Sequence, residues 1–186
     1  MKAKTVINST MLACLVALLG TPLLRAQPDT ATTTPQRGQL SASDYRFAVK
    51  AARGGMEEVE LGQLAKEKGS SEAVRSFGNH MVADHSKAND ELTQIVSRKG
   101  ASLPPALSRS GRSTIDELQK SSGPEFDKTY AKEMVKEHKK DVREFESAAK
   151  DISDPDLRAW VEKTLPTLQQ HLQMAQDMES TVKGEK

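Results

Sequence analysis

Four long segments of the chain carry apolar residues at the alternating three- and four-residue spacing of an amphipathic helix, and this pattern restricts the chain to an all-helical fold. None of them alternates apolar and polar residues as a half-buried strand would. A bundle that buries the four apolar stripes against one another is the simplest arrangement. The four predicted helices cover residues 44–68, 71–99, 123–152 and 154–182.

Residues that start and stop helices flank these segments. Ser43 is the predicted N-cap of the first segment, and Gly69 lies just past its end. The third and fourth segments open with Pro124 and Pro155, where a proline is compatible with the first helical turn. The boundaries of the four helices are therefore predicted from local signals as well as from periodicity.

The connection between the second and third segments is far longer than the other two. It spans residues 100–123, and residues 113–120 within it are predicted to form a short helix. Two short turns and one long crossover are typical of the ferritin-like four-helix bundle, in which the second and third helices run parallel. The predicted fold class is therefore all-α, with a ferritin-like bundle over residues 44–182 and a C-terminal tail over 183–186.

The amino terminus is predicted to be a secretory signal peptide over residues 1–26. Lys2 and Lys4 precede an apolar run over 11–24, which is shorter than the roughly 20 residues of a membrane-spanning helix. Cys14 follows Met-Leu-Ala, which resembles a lipoprotein box, so lipid attachment stays open as an alternative. Residues 27–43 are rich in Thr, Pro, Gln and Ser, a composition that predicts a flexible linker.

Charge and cysteine content exclude several function classes. The whole chain has 27 basic and 26 acidic residues, and removal of residues 1–26 would leave 24 basic residues and a net charge of −2. Without a basic surplus, nucleic acid is excluded as the main partner. Cys14 is the single cysteine, so the exported chain would have no thiol chemistry. No phosphate-binding loop or hydrolase motif occurs, which favours a non-catalytic role.

One phrase, Met-Val-x-[Asp/Glu]-His-x-Lys, occurs at 81–87 and again at 134–140. Its histidines fall at the centre of the apolar stripes of the second and third helices, and each of the other two helices also has a polar residue there. A rise of about 1.5 Å per residue places all four residues within about one helical turn along the bundle. They are Glu58, His85, His138 and His171.

These four residues allow two interpretations. Burying Glu58 as an anion is unfavourable unless it is paired or bound to metal, and imidazole with carboxylate is a ligand set for zinc, copper or iron. Glu-x-x-His pairs, which build di-iron bundles, do not occur at these histidines, so the metal interpretation is a single divalent ion. The alternative is a hydrogen-bonded polar network that includes Asn89 and Gln63. His80, Asp84 and Glu137 are predicted to face solvent.

Four stretches also carry a family resemblance, at residues 54–65 (GGMEEVELGQLA), 74–92 (VRSFGNHMVADHSKANDEL), 126–138 (FDKTYAKEMVKEH) and 165–172 (LPTLQQHL). They resemble a ferritin-like family of exported bacterial proteins of unknown function, many of them labelled outer membrane proteins. The resemblance implies a periplasmic or envelope-associated bundle with no membrane span after cleavage, and it implies no known activity. The predicted function is a non-catalytic binding or envelope-stress protein, and the alternative is a protein that stores, buffers or oxidises one transition metal.

Overall fold

The computed structural model describes residues 35–184, and most of that span is helical. Within it there is no β-strand, which confirms the all-helical fold class. The predicted signal peptide over 1–26 and the last two residues of the predicted tail lie outside the described residues. The helices are α1 (Ala42–Lys68), α2 (Glu72–Arg98), α3 (Arg109–Leu118), α4 (Gly123–Asp151) and α5 (Pro155–Gly184).

The start of α1 differs from the prediction. Ser41, and not Ser43, is the N-cap, because the Ser41 hydroxyl accepts a hydrogen bond from the Asp44 N–H at 3.0 Å. Two serines stand within three residues of the helix start, so the sequence alone did not decide which one caps. At the other end of the bundle, α5 continues to Gly184, so the predicted tail is in part helix.

The last residues of the predicted linker also pack against the bundle. Leu40 is only 1 % exposed, the Gln39 N–H donates to the Lys99 carbonyl at 2.9 Å, and Ser102 N–H donates to the Gln36 carbonyl at 2.8 Å. The prediction of a flexible linker over 27–43 is therefore wrong from Gln36 onward. Composition did not show this, because one apolar side chain and backbone hydrogen bonds hold the segment.

The directions of the long helices follow from contacts at the two ends of the bundle. Asp127, in the first turn of α4, accepts hydrogen bonds from the backbone of Ser70 and Ser71 in the α1–α2 turn. Asp44, in the first turn of α1, accepts from Ser153 in the α4–α5 turn. The prediction that α2 and α4 run parallel is thus confirmed. These two helices lie diagonally, because the closely packed pairs are α1 with α2, α4 with α5, and α2 with α5.

The crossover between α2 and α4 contains α3, which packs against α1 and α4. This helix begins at Arg109, four residues earlier than the predicted short helix, because the Ser108 hydroxyl accepts a hydrogen bond from the Gly111 N–H at 2.9 Å. Leu118 at its end is buried in the core. The crossover therefore covers only part of the side of the bundle formed by α1 and α4.

The α1–α2 and α4–α5 hairpins repeat one another at a constant separation of 83 positions. Arg75 donates to the Gly69 carbonyl, and Arg158, 83 positions later, donates to the Ile152 carbonyl, 83 positions after Gly69. The contacts at the two ends of the bundle are also equivalent, because each hairpin supplies an aspartate that binds the turn of the other hairpin. The sequence interpretation, which treated the repeated phrase as one isolated motif, missed this longer repeat. The other matching pairs are Asp44/Asp127, Phe47/Tyr130, Ser70/Ser153, Val74/Leu157 and Phe77/Trp160.

The core consists of two apolar clusters with a polar layer between them. One cluster lies at the end where α1 begins and includes Leu92, Phe145 and Trp160. The other lies at the end where α4 begins and includes Phe77 and Tyr130. The polar layer is formed by four buried residues near the middle of the long helices, Glu58, His85, His138 and His171. Among the described residues, no helix is both long enough and apolar enough to cross a membrane.

A candidate metal centre in the bundle core

Three histidines from three helices meet in the polar layer. The ring centroids of His85 and His138 are 5.9 Å apart, those of His85 and His171 are 5.3 Å apart, and those of His138 and His171 are 5.5 Å apart. The rings therefore form a nearly equilateral triangle. All three residues are buried, with exposed fractions of 7 %, 0 % and 1 % for His85, His138 and His171.

Two of the rings are oriented by hydrogen bonds on one nitrogen only. His138 Nδ1 lies 2.9 Å from the Met134 carbonyl, which can only accept, so Nδ1 carries the proton. His171 Nε2 lies 2.9 Å from Asp84 Oδ2, so Nε2 donates to the carboxylate. The opposite nitrogens, His138 Nε2 and His171 Nδ1, are buried and have no hydrogen-bond partner among residues 35–184, and the same is true of His85 Nε2.

The three rings each offer one ligand atom, and these atoms all lie within 4.8 Å of one another. A Zn–N bond of about 2.0–2.1 Å places the nitrogens around a tetrahedral ion about 3.4 Å apart. Binding would therefore draw the nitrogens together by up to about 1.4 Å, a shift that ring rotation can supply in part. The residues fit one transition ion with three imidazole ligands.

Burial favours the neutral form of all three imidazoles. It lowers the pKa of His85 well below its usual value, and the neighbouring His138 and His171 lower the pKa further. Burial also lowers the pKa of His138 and of His171, and in His171 it outweighs the opposing effect of the hydrogen bond to Asp84. A neutral imidazole keeps a lone pair for a metal. The bonds to Met134 and Asp84 orient the rings from behind, as outer partners of metal ligands commonly do.

Asp84 was predicted to face solvent, and the structure confirms this only in part. Its side chain is 43 % exposed, but it reaches from α2 to α5 and accepts the hydrogen bond from His171. Its counterpart in the repeated phrase, Glu137, is partly buried and pairs with Lys136 and Lys140. The carboxylate before each repeated histidine was the available signal, but periodicity could not show that one of them crosses to a neighbouring helix.

Glu58 lies beside the triangle of rings and not within it. Its side chain is 2 % exposed, and its Oε1 is 3.9 Å from His138 Nδ1, the nitrogen already bonded to Met134. Burial, reinforced by the charges of Glu57 and Glu137, raises the pKa of Glu58 to about 8. The carboxyl is therefore protonated at neutral pH. Protonation removes much of the cost of burying an anion, so Glu58 alone does not require a metal.

Asp141 is a further acid, partly buried, that the sequence interpretation missed. Burial, followed by the charge of Glu58, raises its pKa to about 7. It lies 83 positions after Glu58 in the chain, so the hairpin repeat would have identified it. Of the two network members predicted from sequence, Gln63 is exposed, which excludes it from the polar layer, and Asn89 is partly buried. His80 is exposed, as predicted.

A cavity of about 430 Å³ lies between α1 and α4 beside the start of α3. Among the three histidines only His85 lines it. Gly54 also lines it, and a Cβ added at this glycine would meet no atom within 4 Å. At the next residue, Gly55, a Cβ would come within 2.2 Å of Asn89 Oδ1, so α1 and α2 approach closely there. The wall of the cavity includes Phe47, Asn89, Asp141, Phe145, Trp160 and Leu168.

The fold and the site define a class: a four-helix bundle with a long crossover and three buried histidines at its centre. The chain belongs to the family described as a domain of unknown function, DUF4142, whose model matches residues 29–178. This confirms the predicted membership of a helical family without an assigned function. No curated protein matches the chain.

One solved structure with a similar fold is described as the crystal structure of a DUF305 fragment from Deinococcus radiodurans. Its TM-score is 0.66 at 12 % sequence identity, and the match covers 77 % of this chain and 97 % of that chain. At this identity the likeness establishes a shared helical fold.

Proposed function

We propose that this protein binds a single transition-metal ion through His85, His138 and His171. The observation that carries the proposal is a group of three buried histidines with ligand atoms within 4.8 Å of one another, each of which has one ring nitrogen without a hydrogen-bond partner among the described residues. A buried polar atom left unsatisfied costs about 1–3 kcal/mol. Three such atoms at one point would be unfavourable in a purely structural core, and a metal ion would satisfy all three.

The donor set favours zinc or copper. Three neutral imidazoles suit both ions, and the described residues contain no thiolate that would select other chemistry. The sequence also favoured Glu58 as a ligand. Its Oε1 lies 3.9 Å from His138 Nδ1, the nitrogen already bonded to the Met134 carbonyl, which favours a role behind that ring. Three protein ligands leave one coordination position for water or a small ligand.

The same proposal includes the ferritin-like assignment and an exported location. The parallel arrangement of α2 and α4 and the long crossover support the ferritin-like assignment. Lys2, Lys4 and the apolar run after them support export, and a bacterial periplasm or envelope is the compartment that the family resemblance favours. The role would then be to hold or buffer a metal outside the cytoplasm.

A second candidate is a metal-free, non-catalytic binding or envelope-stress protein. The raised pKa of Glu58 favours it, because a neutral carboxyl allows the polar layer to persist without an ion. In that case the orphan ring nitrogens would be satisfied by water. The two candidates differ in whether the purified protein takes up metal in a fixed ratio.

The test is calorimetric titration of zinc and of copper into the chain purified without a histidine tag at pH 7.5. We expect one ion per chain. Because each ring supplies one ligand, the His138→Ala and His171→Ala variants should each bind at least 100-fold more weakly. His80→Ala removes an exposed histidine of the same helix as His85 and should bind as the native chain does. Absence of stoichiometric uptake, or an equal loss in His80→Ala, would contradict the proposal.

A further inference from the structure

We infer that the cavity between α1 and α4 admits a small organic monoanion, of the carboxylate class, to the open coordination position of the metal. This inference rests on the proposed function, since it assigns a ligand to the same site. Its basis is the position of the cavity, the charge at its rim and the apolar character of its wall.

Among residues 35–184, the cavity reaches the site beside His85. His85 lines it, whereas His138 and His171 do not, and His85 is the most exposed of the three. The other two rings are closed off by the hydrogen bonds behind them and by the apolar cluster that contains Phe77, whose ring centroid is 5.9 Å from that of His138. A ligand that completes the coordination of the metal would therefore approach past His85.

The lining of the cavity includes three acidic side chains, Glu57, Asp141 and Glu144, and four basic ones, three of which lie together on α1. Arg46, Lys50 and Arg53 follow one another on the exposed face of α1, and all three line the cavity. Lys50 is neutralised by Glu144 at 2.6 Å, whereas neither arginine forms an ion pair with another residue in the described part of the chain. Unpaired guanidinium groups at the mouth of a low-dielectric cavity attract and hold carboxylates.

The wall of the cavity favours an apolar body on that anion. Phe47, Phe145 and Trp160 line the cavity, and the Phe145 ring packs against the other two, with centroid separations of 5.3 Å from Phe47 and 5.6 Å from Trp160. The volume of about 430 Å³ suits a small molecule and excludes a folded partner. An aromatic carboxylate should therefore bind more tightly than acetate, which has almost no apolar surface.

Gly54 provides a variant that closes the cavity without breaking the site. Its backbone lines the cavity, and an added side chain would project into open space. Gly54→Leu should fill the cavity, whereas Gly54→Ala adds a single methyl group. Neither change replaces a histidine of the proposed centre.

The experiment uses the cobalt(II) form of the full chain, because the visible absorption of cobalt(II) reports its coordination. Azide, acetate and benzoate are each titrated into the loaded protein. We expect a saturable spectral change with each anion and an affinity for benzoate at least tenfold higher than for acetate. Gly54→Leu should take up cobalt in the native ratio and lose at least tenfold in affinity for benzoate, and Gly54→Ala should stay within threefold of the native chain.

The outcomes separate the two proposals. Cobalt uptake by the native chain without any spectral response to anions would overturn the inference and leave the metal site standing. Native benzoate affinity in Gly54→Leu, with cobalt bound, would also overturn it. Failure of the native chain to take up cobalt, zinc or copper would overturn the proposed function, and the inference with it.

Discussion

Buried carboxyl groups occur both at the two ends of the bundle and at its centre, and they differ in whether they accept hydrogen bonds. Asp127 accepts hydrogen bonds from the Ser70 N–H at 3.0 Å, the Ser71 N–H at 2.7 Å and the Ser70 hydroxyl at 2.5 Å. Asp44 accepts the matching set at the other end. At the centre, Glu58 Oε2 has no partner among the described residues.

The contrast distinguishes Asp44 and Asp127, which join the two hairpins, from Glu58, which lies beside the three histidines. In Asp44 the hydrogen bonds outweigh the effect of burial and lower the pKa, so the charged form is retained. In Glu58 burial dominates and raises the pKa to about 8. At both ends of the bundle, the buried carboxylates accept hydrogen bonds from nearby backbone and serine groups, whereas Glu58 at the centre has no such donors among the described residues. On the proposal above, the ring nitrogens without partners at the centre are the groups that a bound metal would satisfy.

The largest expected effect comes from breaking an end contact. Asp127→Ala would leave the N–H groups of Ser70 and Ser71 without their acceptor where the two hairpins meet. Hydrogen bonds to a charged group contribute about 1.5–3 kcal/mol each, and the losses are not fully additive, so we expect the free energy of unfolding to fall by about 4 kcal/mol. Urea unfolding followed by circular dichroism measures this change.

Glu125→Ala is the matched control, because Glu125 lies on the same first turn of α4 and is exposed. Its loss should lower the free energy of unfolding by less than 1 kcal/mol. If Asp127→Ala were no more harmful than Glu125→Ala, the end contacts would not be the anchors that the comparison requires.

The second effect concerns the central carboxyl and pH. The pKa of Glu58 is raised from 4.5 to about 8, so the folded state holds a proton that the unfolded state releases. The stability due to this proton is fully present below about pH 4.5 and is lost as the pH rises toward 8. Because Gln cannot ionise, the metal-free native chain should lose about 2 kcal/mol relative to Glu58→Gln between pH 6 and pH 7.5, at about 1.4 kcal/mol per pH unit.

Paired urea titrations at several pH values, with a chelator present, measure that difference. The exposed Glu60 of the same helix supplies the control, since Glu60→Gln should keep a constant difference from the native chain. A pH-independent difference between Glu58→Gln and the native chain would mean that Glu58 is satisfied in the folded state. The contrast between the ends and the centre would then disappear.

The predictions from sequence succeeded where helical periodicity carried the signal and failed where single side chains decided the structure. Periodicity and capping residues predicted the four long helices, and central stripe positions predicted that His85, His138 and His171 lie together. The hydrogen bond from His171 to Asp84 was missed, because Asp84 reaches the neighbouring helix from the edge of its own polar face. The burial of Leu40 was missed because a single apolar residue in a polar segment gives no period.

The smallest expected effect concerns Asp84, the carboxylate that accepts the hydrogen bond from His171. Its substitution tests whether the charge of Asp84 contributes to the orientation of the His171 ring. Asp84→Asn keeps an oxygen that can accept the hydrogen bond from His171 Nε2 but removes the negative charge that makes the ring a better donor. Outer partners of metal ligands commonly change metal affinity by 10–100-fold, and a conservative change should fall at the lower limit, so we expect about a tenfold loss of zinc affinity. Asp90→Asn, on an exposed position of the same helix, should leave the affinity unchanged. Calorimetric titration at pH 7.5 measures both variants. Equal affinity in Asp84→Asn and in the native chain would show that His171 is held by packing alone, and the central layer would then owe its geometry to the apolar clusters on either side of it.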